Sequence, residues 1–131
     1  MSIVWSYKID FKNPILFDKL KMYGINIPDE LRTFICNYNG ASPDKNHIEI
    51  NGEERIFDSV LSFNENDVDA ATFKAAYQAI DSDEYIPFAI DPFGNHFCYS
   101  IKNKKIAFYE HEEEVFDQTN YSLDEFLEHL Y

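Results

Sequence analysis

The sequence predicts an α+β fold in which a single antiparallel sheet is flanked by about four helices. Two patterns support this class: apolar residues recur at helical spacing in four segments, and strand-like segments follow one another with short turns in the second half of the chain. Strands joined by short turns pair antiparallel, and helices can then pack on the sheet. A chain of 131 residues with 45% apolar residues fits one domain, so we predict a single domain over residues 1–131.

Two helices are predicted in the first third of the chain. The first opens at Asn13 and Pro14, which suit an N-cap and a first turn, and it ends at Gly24. The second begins at Pro28 and ends at residues 39–40, an Asn-Gly pair that suits a left-handed C-cap. The apolar stripe of the second helix, spaced i, i+3, i+4 and i+7, consists of Leu31, Phe34, Ile35 and Tyr38.

Two more helices are predicted later in the chain. The third begins at about Asp67 in an Ala-rich stretch, and the fourth begins at Ser122, which can form a capping box with Glu125. Both carry an apolar stripe of the kind that packs against a core. The stripes are formed by Phe73, Ala76, Tyr77 and Ile80 in the third helix and by Leu123, Phe126, Leu127 and Leu130 in the fourth.

Strands are predicted between the helices. Apolar and polar residues alternate at residues 47–50, and the sheet continues at residues 55–63. Between these two segments lies Asn51-Gly52, a strong signal for a hairpin turn. Three further strands follow the third helix, at residues 85–90, 96–101 and 105–110.

The charge is strongly negative and narrows the choice of partners. Twenty-four acidic residues against eleven basic ones give a net charge of −13, and residues 81–131 contain twelve acids but only three bases. Nucleic acids and anionic membranes are bound through Lys and Arg, so we expect neither as a direct partner. A basic protein or a cation would be attracted, although an acidic surface also serves solubility alone.

The sequence predicts a cytoplasmic protein. No apolar run approaches the ~20 residues that span a bilayer, and the first residues lack the basic region and long apolar stretch of a signal peptide. Cys36 and Cys98 are too few for a disulfide framework, and we expect both to be buried thiols in a reducing compartment.

The turn between the strands at 85–90 and 96–101 has the residue types of a catalytic loop. Asp91 and His96 could act as a general base and the residue that orients it, and the Asn95 side chain could stabilise an oxyanion. No activated Ser or Cys nucleophile accompanies them, however, and the Asp-Pro and Gly-Asn pairs have a purely conformational explanation. We therefore interpret this loop as the turn of a hairpin and predict no catalytic residues.

No metal or cofactor is predicted. The two cysteines form no closely spaced pair, and the four isolated glycines form no phosphate-binding loop. The acidic stretch near residue 112 lacks the Asp, Asn and Gly residues that a calcium-binding loop has at fixed positions. Nor are the four histidines at ligand spacing; they are His47, His96, His111 and His129.

Acidic residues dominate positions 110–117, directly after the last predicted strand. The segment is either a solvated connection or an interaction rim that steers a basic partner. Steering of this kind raises association rate constants from about 10⁵–10⁶ to about 10⁸–10⁹ M⁻¹s⁻¹ at low salt.

Four stretches, in this order, resemble motifs of the SUKH superfamily, which joins fungal cell-wall-synthesis regulators of the Smi/Knr type with many bacterial proteins. The first stretch consists of GINIPDEL at residues 24–31, Phe34 and Ile35, and YNGASP at residues 38–43. The other three are IPFAIDPFGNHFC at residues 86–98, IAFYEHE at 106–112 and YSLDEFL at 121–127. Order and spacing agree from about residue 15 to the end of the sequence.

The resemblance implies an α+β, non-catalytic domain. Bacterial members are largely immunity proteins that neutralise toxin domains, often nucleases. We therefore expect an immunity protein that occludes a cognate toxin, a basic nuclease domain. Two alternatives stay open: a regulatory or scaffold domain that binds endogenous proteins, and a domain that binds a small molecule or metal at the acidic rim. The oligomeric state is left undetermined.

The predicted partner-binding residues are chosen by charge and turn exposure, not by the resemblance. They comprise acids for steering, aromatic anchors, and a second group at the hairpin tip. The acids are Glu110, Glu112, Glu113, Glu114 and Asp117, the anchors are Tyr109 and Phe116, and the tip residues are Asp91, Phe93 and Asn95.

Overall fold

The structure, a computed structural model, describes residues 3–10, 26–64 and 71–131, and these confirm the α+β class. Within them lie nine strands and three helices. In chain order they are β1 (Trp5–Ser6), α1 (Asp29–Tyr38), β2 (Ser42–Pro43), β3 (His47–Ile50), β4 (Glu53–Ile56), β5 (Ser59–Val60), α2 (Phe73–Ile80), β6 (Tyr85–Ile90), β7 (His96–Ser100), β8 (Ile106–Glu110), β9 (Val115–Gln118) and α3 (Leu123–Glu128). The helix predicted at residues 13–24 and the predicted helix start at Asp67 lie outside the described residues.

The largest sheet has five strands in the order β5-β6-β7-β8-β9, and every neighbouring pair is antiparallel. The last four strands form a meander; the spacing predicted the antiparallel arrangement of β6, β7 and β8, whereas β9 was not predicted. The pairing of β6 with β7 shifts register between Pro87 and Ala89. Proline has no N–H to give to a ladder, so this irregularity falls where the hydrogen-bond pattern must break.

The prediction of a single sheet is not confirmed, because the remaining strands form two separate two-stranded sheets. β1 pairs with β2, and β3 pairs with β4 through the predicted Asn51-Gly52 turn, whose residues have φ of 53° and 85°. The other edge of β3 is occupied by Tyr131, whose main chain exchanges two 2.9 Å hydrogen bonds with His47. β3 therefore pairs with β4 along one edge and with Tyr131 at the His47 end of the other, and it has no partner strand in the large sheet.

The strand predicted at residues 55–63 is divided into β4 and β5. The N–H of Phe57 donates to the carbonyl of Asn46 (2.7 Å), whereas the N–H of Asp58 donates to the carbonyl of Ile90 in β6 (2.9 Å). The chain thus changes its hydrogen-bonding partner within two residues. One continuous strand-like segment therefore serves two sheets, which the hydrophobic pattern alone does not reveal.

The helix ends follow local chemistry. Ser122 and Glu125 form the predicted capping box of α3. Thr72 caps α2 by accepting a hydrogen bond from the N–H of Ala75 (3.2 Å). After α1, Gly40 adopts φ +70°, and a Cβ there would collide with the side chain of Ile9, so the position requires glycine on two counts.

The main core is formed by one face of the five-stranded sheet together with residues of all three described helices and of β3. Its centre is aromatic: Phe97 of β7 packs 5.5 Å from Phe126 of α3, and Phe88 of β6 packs 6.0 Å from Phe34 of α1, between ring centroids. Aromatic pairs of this kind add about 0.5–1.5 kcal/mol each beyond the area that they bury. The high aromatic content of the sequence is thus used in the core.

The prediction that both cysteines are buried is wrong for one of them. Cys98 is fully buried in β7, but Cys36 is exposed on α1. Each helical residue is rotated by about 100° from the last, so Cys36, directly after the buried Phe34 and Ile35, turns towards solvent. No helix in the described ranges is both long and apolar enough to cross a membrane.

Candidate partner-binding surface

The turn between β6 and β7 is ordered by Asp91. One carboxylate oxygen of Asp91 accepts hydrogen bonds from the N–H groups of Phe93 (2.9 Å) and Asn95 (2.7 Å), and the other accepts from the Asn95 side chain (3.0 Å). Asp91 is only 4% exposed. Its acceptor capacity is used within the loop, as the conformational interpretation requires, and little of it is left for a substrate or a partner.

A second turn, residues 111–114 between β8 and β9, is tied to the first. The Asn95 side-chain oxygen accepts a hydrogen bond from the N–H of His111 (3.0 Å), and the His111 ring Nε2 lies 3.0 Å from the Phe93 carbonyl. A carbonyl only accepts, so Nε2 carries the proton. The structure thus joins the predicted tip residues to the acidic segment and gives Asn95 and His111 a connecting role.

These two turns present one exposed surface, the hairpin-tip surface, formed by Phe93, Glu112, Glu113, Glu114 and Val115. Phe93 is 70% exposed and Val115 is 43% exposed, while the three glutamates are solvent-accessible. Single exposed apolar residues are common, but here two accompany three adjacent carboxylates. Glu114 reverses the chain with φ 56°. The surface combines apolar contact area with concentrated negative charge.

The other predicted acids, Glu110 and Asp117, interact with Arg55 of β4. Its Nη2 lies 2.6 Å from Glu53, 3.0 Å from Glu110 and 3.9 Å from Asp117, and we call these four residues the Arg55 cluster. The guanidinium also lies 4.6 Å above the Phe108 ring centroid. Glu110 and Asp117 therefore attach the β3–β4 hairpin to β8 and β9, a role that the sequence analysis did not assign.

The carboxyl of Asp117 is electrostatically strained. Burial raises its pKa, and the hydrogen bond and like charge of Glu110 raise it further, while Arg55 offsets part of the shift. Three carboxylates share one guanidinium, so charge compensation within the Arg55 cluster is incomplete. Arg55 could have been suspected from sequence, because it is an isolated base beside Glu53 and Glu54 in an acidic chain.

Both predicted aromatic anchors pack against the sheet face opposite the main core. Tyr109 is 8% exposed, and its ring centroid lies 4.6 Å from that of the half-buried Phe116. Phe116 also stacks on Tyr85 at 4.0 Å, and Gln118 donates to the Tyr85 hydroxyl (2.8 Å). These contacts stabilise β9, a strand that the sequence analysis missed, and leave Phe93 as the more accessible aromatic group.

Two groups near the turn with potential reactivity have shifted pKa values. Burial lowers the pKa of the His96 imidazole, an effect that the charge of Asp91 opposes and that of His111 reinforces. Complete burial raises the pKa of the Cys98 thiol. Across the described ranges, no group of three or more His, Cys, Asp or Glu side chains is arranged to hold a metal ion.

Fold and surface together define a small α+β domain of antiparallel sheets with an acidic, turn-borne exposed surface. The chain belongs to the SUKH superfamily: the SUKH_6 family model, described as SMI1-KNR4 cell-wall, matches residues 21–127, well over half of the chain. The family is generally non-catalytic. The resemblance drawn from the sequence motifs is thereby confirmed. A search of curated proteins finds no significant match.

Proposed function

We propose that this protein is an immunity protein that binds a cognate toxin of a bacterial polymorphic or contact-dependent toxin system and blocks it by occlusion, without catalysis of its own. The toxin is a basic nuclease domain. The observation that carries the proposal is the hairpin-tip surface, where an exposed phenylalanine and three exposed glutamates lie on two turns joined by hydrogen bonds, in a chain of net charge −13.

Charge favours this class of partner. A nuclease binds an anionic substrate and needs a basic cleft, and the same cleft attracts an acidic protein. Glu112, Glu113 and Glu114 are exposed and form no ion pair within the described part of the chain. They are free to interact with an incoming cationic surface, whereas Glu110 and Asp117 are engaged by Arg55.

Rigidity favours tight binding at the same place. Asp91 orders the first turn, and Asn95 and His111 join it to the second. A surface that is already ordered loses less conformational entropy on association. Phe93 can then serve as an apolar anchor that becomes buried at the centre of the contact, with the glutamates around it.

The second candidate is a regulatory or scaffold domain that binds endogenous proteins, and the SMI1-KNR4 cell-wall description of the matching family model favours it. The two candidates differ in the partner rather than in the surface. An immunity protein should inhibit the toxin domain encoded directly upstream of its own gene, whereas a regulator should have no effect on that domain.

The proposal is tested with that purified toxin domain. The intact protein should form a stable complex and abolish nuclease activity, and the triple change Glu112→Lys, Glu113→Lys and Glu114→Lys should slow association roughly 10- to 100-fold at low salt and flatten its salt dependence. Failure of the intact protein to bind or inhibit the domain would overturn the immunity function.

A matched control distinguishes the effect of the hairpin-tip surface on the association rate from the effect of total charge. The changes Asp58→Lys, Asp83→Lys and Glu128→Lys alter three exposed acids elsewhere and give the same net charge as the first triple variant. This control should slow association only modestly. Equal rates for the two variants would remove the hairpin-tip surface from the interface while leaving the immunity function intact.

A further inference from the structure

A second surface, which is concave, lies between the β3–β4 turn and residues 121–131, and we call it the Tyr131 groove. It is open to solvent and has a volume of about 400 Å³. It involves none of the residues of the hairpin-tip surface. Its lining consists of Glu49, Asn51, Gly52, Tyr121, His129 and Tyr131.

The walls of the groove are aromatic and held in place. Tyr131 stacks on His47 with 5.7 Å between ring centroids and an angle of 24°, and its hydroxyl donates to Glu54 (2.8 Å). On the other side, Tyr121 stacks on His129 at 4.4 Å. The ring orientations are therefore set before any ligand arrives.

The polar groups that line the groove through their side chains are mainly acceptors. His129 Nδ1 lies 2.8 Å from the Glu125 carbonyl and must donate to it, which leaves Nε2 of the neutral ring as an acceptor. Glu49 forms no hydrogen bond or ion pair within the described ranges. The hydrogen bond to Glu54 raises the pKa of the Tyr131 phenol, and the charge of Glu49 adds to the rise, so both carboxylates act on this ring.

We propose that the Tyr131 groove binds an arginine side chain presented by a partner protein. A guanidinium is planar, so it can stack on a tyrosine face, and its N–H groups can donate to the Glu49 carboxylate and to His129 Nε2. Among the described residues, no Lys or Arg lines the groove, so none of them would repel or replace the guanidinium. The site goes beyond the proposed immunity function, because it would recognise arginine on any partner.

The test is a titration of the isotope-labelled protein with acetyl-arginine amide, followed by NMR. Resonances of Gly52, Tyr121, His129 and Tyr131 should shift in a saturable manner. Acetyl-lysine amide should bind several-fold more weakly, because an ammonium lacks the planar face, and the uncharged acetyl-citrulline amide should not bind measurably. Lysine binding as strong as arginine, or no saturable shifts, would overturn the proposal.

Two charge-neutralising variants assign the binding to the groove. Glu49→Gln should weaken arginine binding roughly tenfold, which corresponds to the loss of one charge-assisted contact. Asp83→Asn neutralises an exposed acid that belongs to neither surface and should leave binding unchanged. Equal affinities for the two variants would show that the arginine responds only to the overall negative charge, contrary to the proposal. Neither result depends on the toxin experiment.

Discussion

Asp91 is a single residue on which the arrangement of the hairpin-tip surface depends. Its carboxylate accepts three hydrogen bonds, two of them from backbone N–H groups, and it is nearly inaccessible to solvent. Asp91→Ala would leave these donors without a partner, so we expect a loss of about 2–3 kcal/mol in the free energy of unfolding, measured by urea denaturation. Asp91→Asn should lose less, because its amide oxygen can still accept.

The control for this prediction is Asp83→Ala, which removes an exposed carboxylate that makes no hydrogen bond in the described part of the chain. It should change stability by less than about 0.5 kcal/mol. If Asp91→Ala were as stable as the control, the turn would be ordered by its backbone alone, and our account of the surface would lose its basis.

At the scale of single residues, sequence predicted local chemistry better than exposure. The capping box at Ser122 and the Asn51-Gly52 turn depend on residues a few positions apart, so both could be identified without a structure. The exposure of Asp91 and Tyr109 depends on what packs over them. A polar turn residue therefore proved to be buried, and a strand-end aromatic proved to be covered by Phe116.

Between elements, the Arg55 cluster joins the β3–β4 hairpin to β8 and β9, and its excess of carboxylates has a consequence for pH. The pKa of Asp117 is raised in the folded state, so the folded state binds the proton more tightly than the unfolded chain. Stability contributed by this carboxyl is therefore present below its ordinary pKa. It is lost as the pH rises through the raised folded value.

Asp117→Asn should accordingly stabilise the protein at pH 7, because it removes the unfavourable charge and keeps a group that can hydrogen-bond to Glu110. The gain should be less than about 1 kcal/mol, since solvent screens a partly exposed cluster. It should disappear below the ordinary range of an aspartate, where the carboxyl is protonated in both states. Thermal unfolding of both proteins across pH would measure this, and an equal difference at every pH would contradict it.

The prediction of helices and strands succeeded where the apolar pattern was continuous and failed where the strands were short. α1 and the strands β6, β7 and β8 have long apolar patterns with clear turns between them. β1 and β2 have two residues each and pair with each other across a long stretch of sequence, Trp5 with Pro43, so no local pattern marks them. β9 was not predicted, because its many acidic residues suggested a solvated connection. The structure shows instead that Phe116 of this strand packs on Tyr85.

Over the whole molecule, negative charge serves association at a cost in stability. Among the described residues, Arg55 engages three carboxylates, Lys102 pairs with Glu84 (3.4 Å) and Lys105 pairs with Glu125 (3.9 Å). The remaining carboxylates repel one another more strongly in the compact state than in the unfolded chain. The same repulsion provides the field that would steer a cationic partner towards the hairpin-tip surface.

Salt should therefore stabilise this protein at neutral pH. Raising the ionic strength from about 0.01 M to about 0.15 M shortens the Debye length from about 30 Å to about 8 Å, which screens repulsion between separated surface carboxylates. The partly buried Arg55 cluster is screened less. We expect the free energy of unfolding at pH 7 to rise by roughly 1–2 kcal/mol, measured by urea denaturation at the two salt concentrations.

The control is the same salt change near the sequence pI of about 4.5, where the net charge is close to zero and the gain should largely disappear. An uncharged osmolyte at equal osmolarity would detect stabilisation through general exclusion from the surface, which acts at both pH values. If salt stabilised the protein equally at both, net repulsion would not limit its stability. The field attributed to its carboxylates would then be weaker than the steering argument requires.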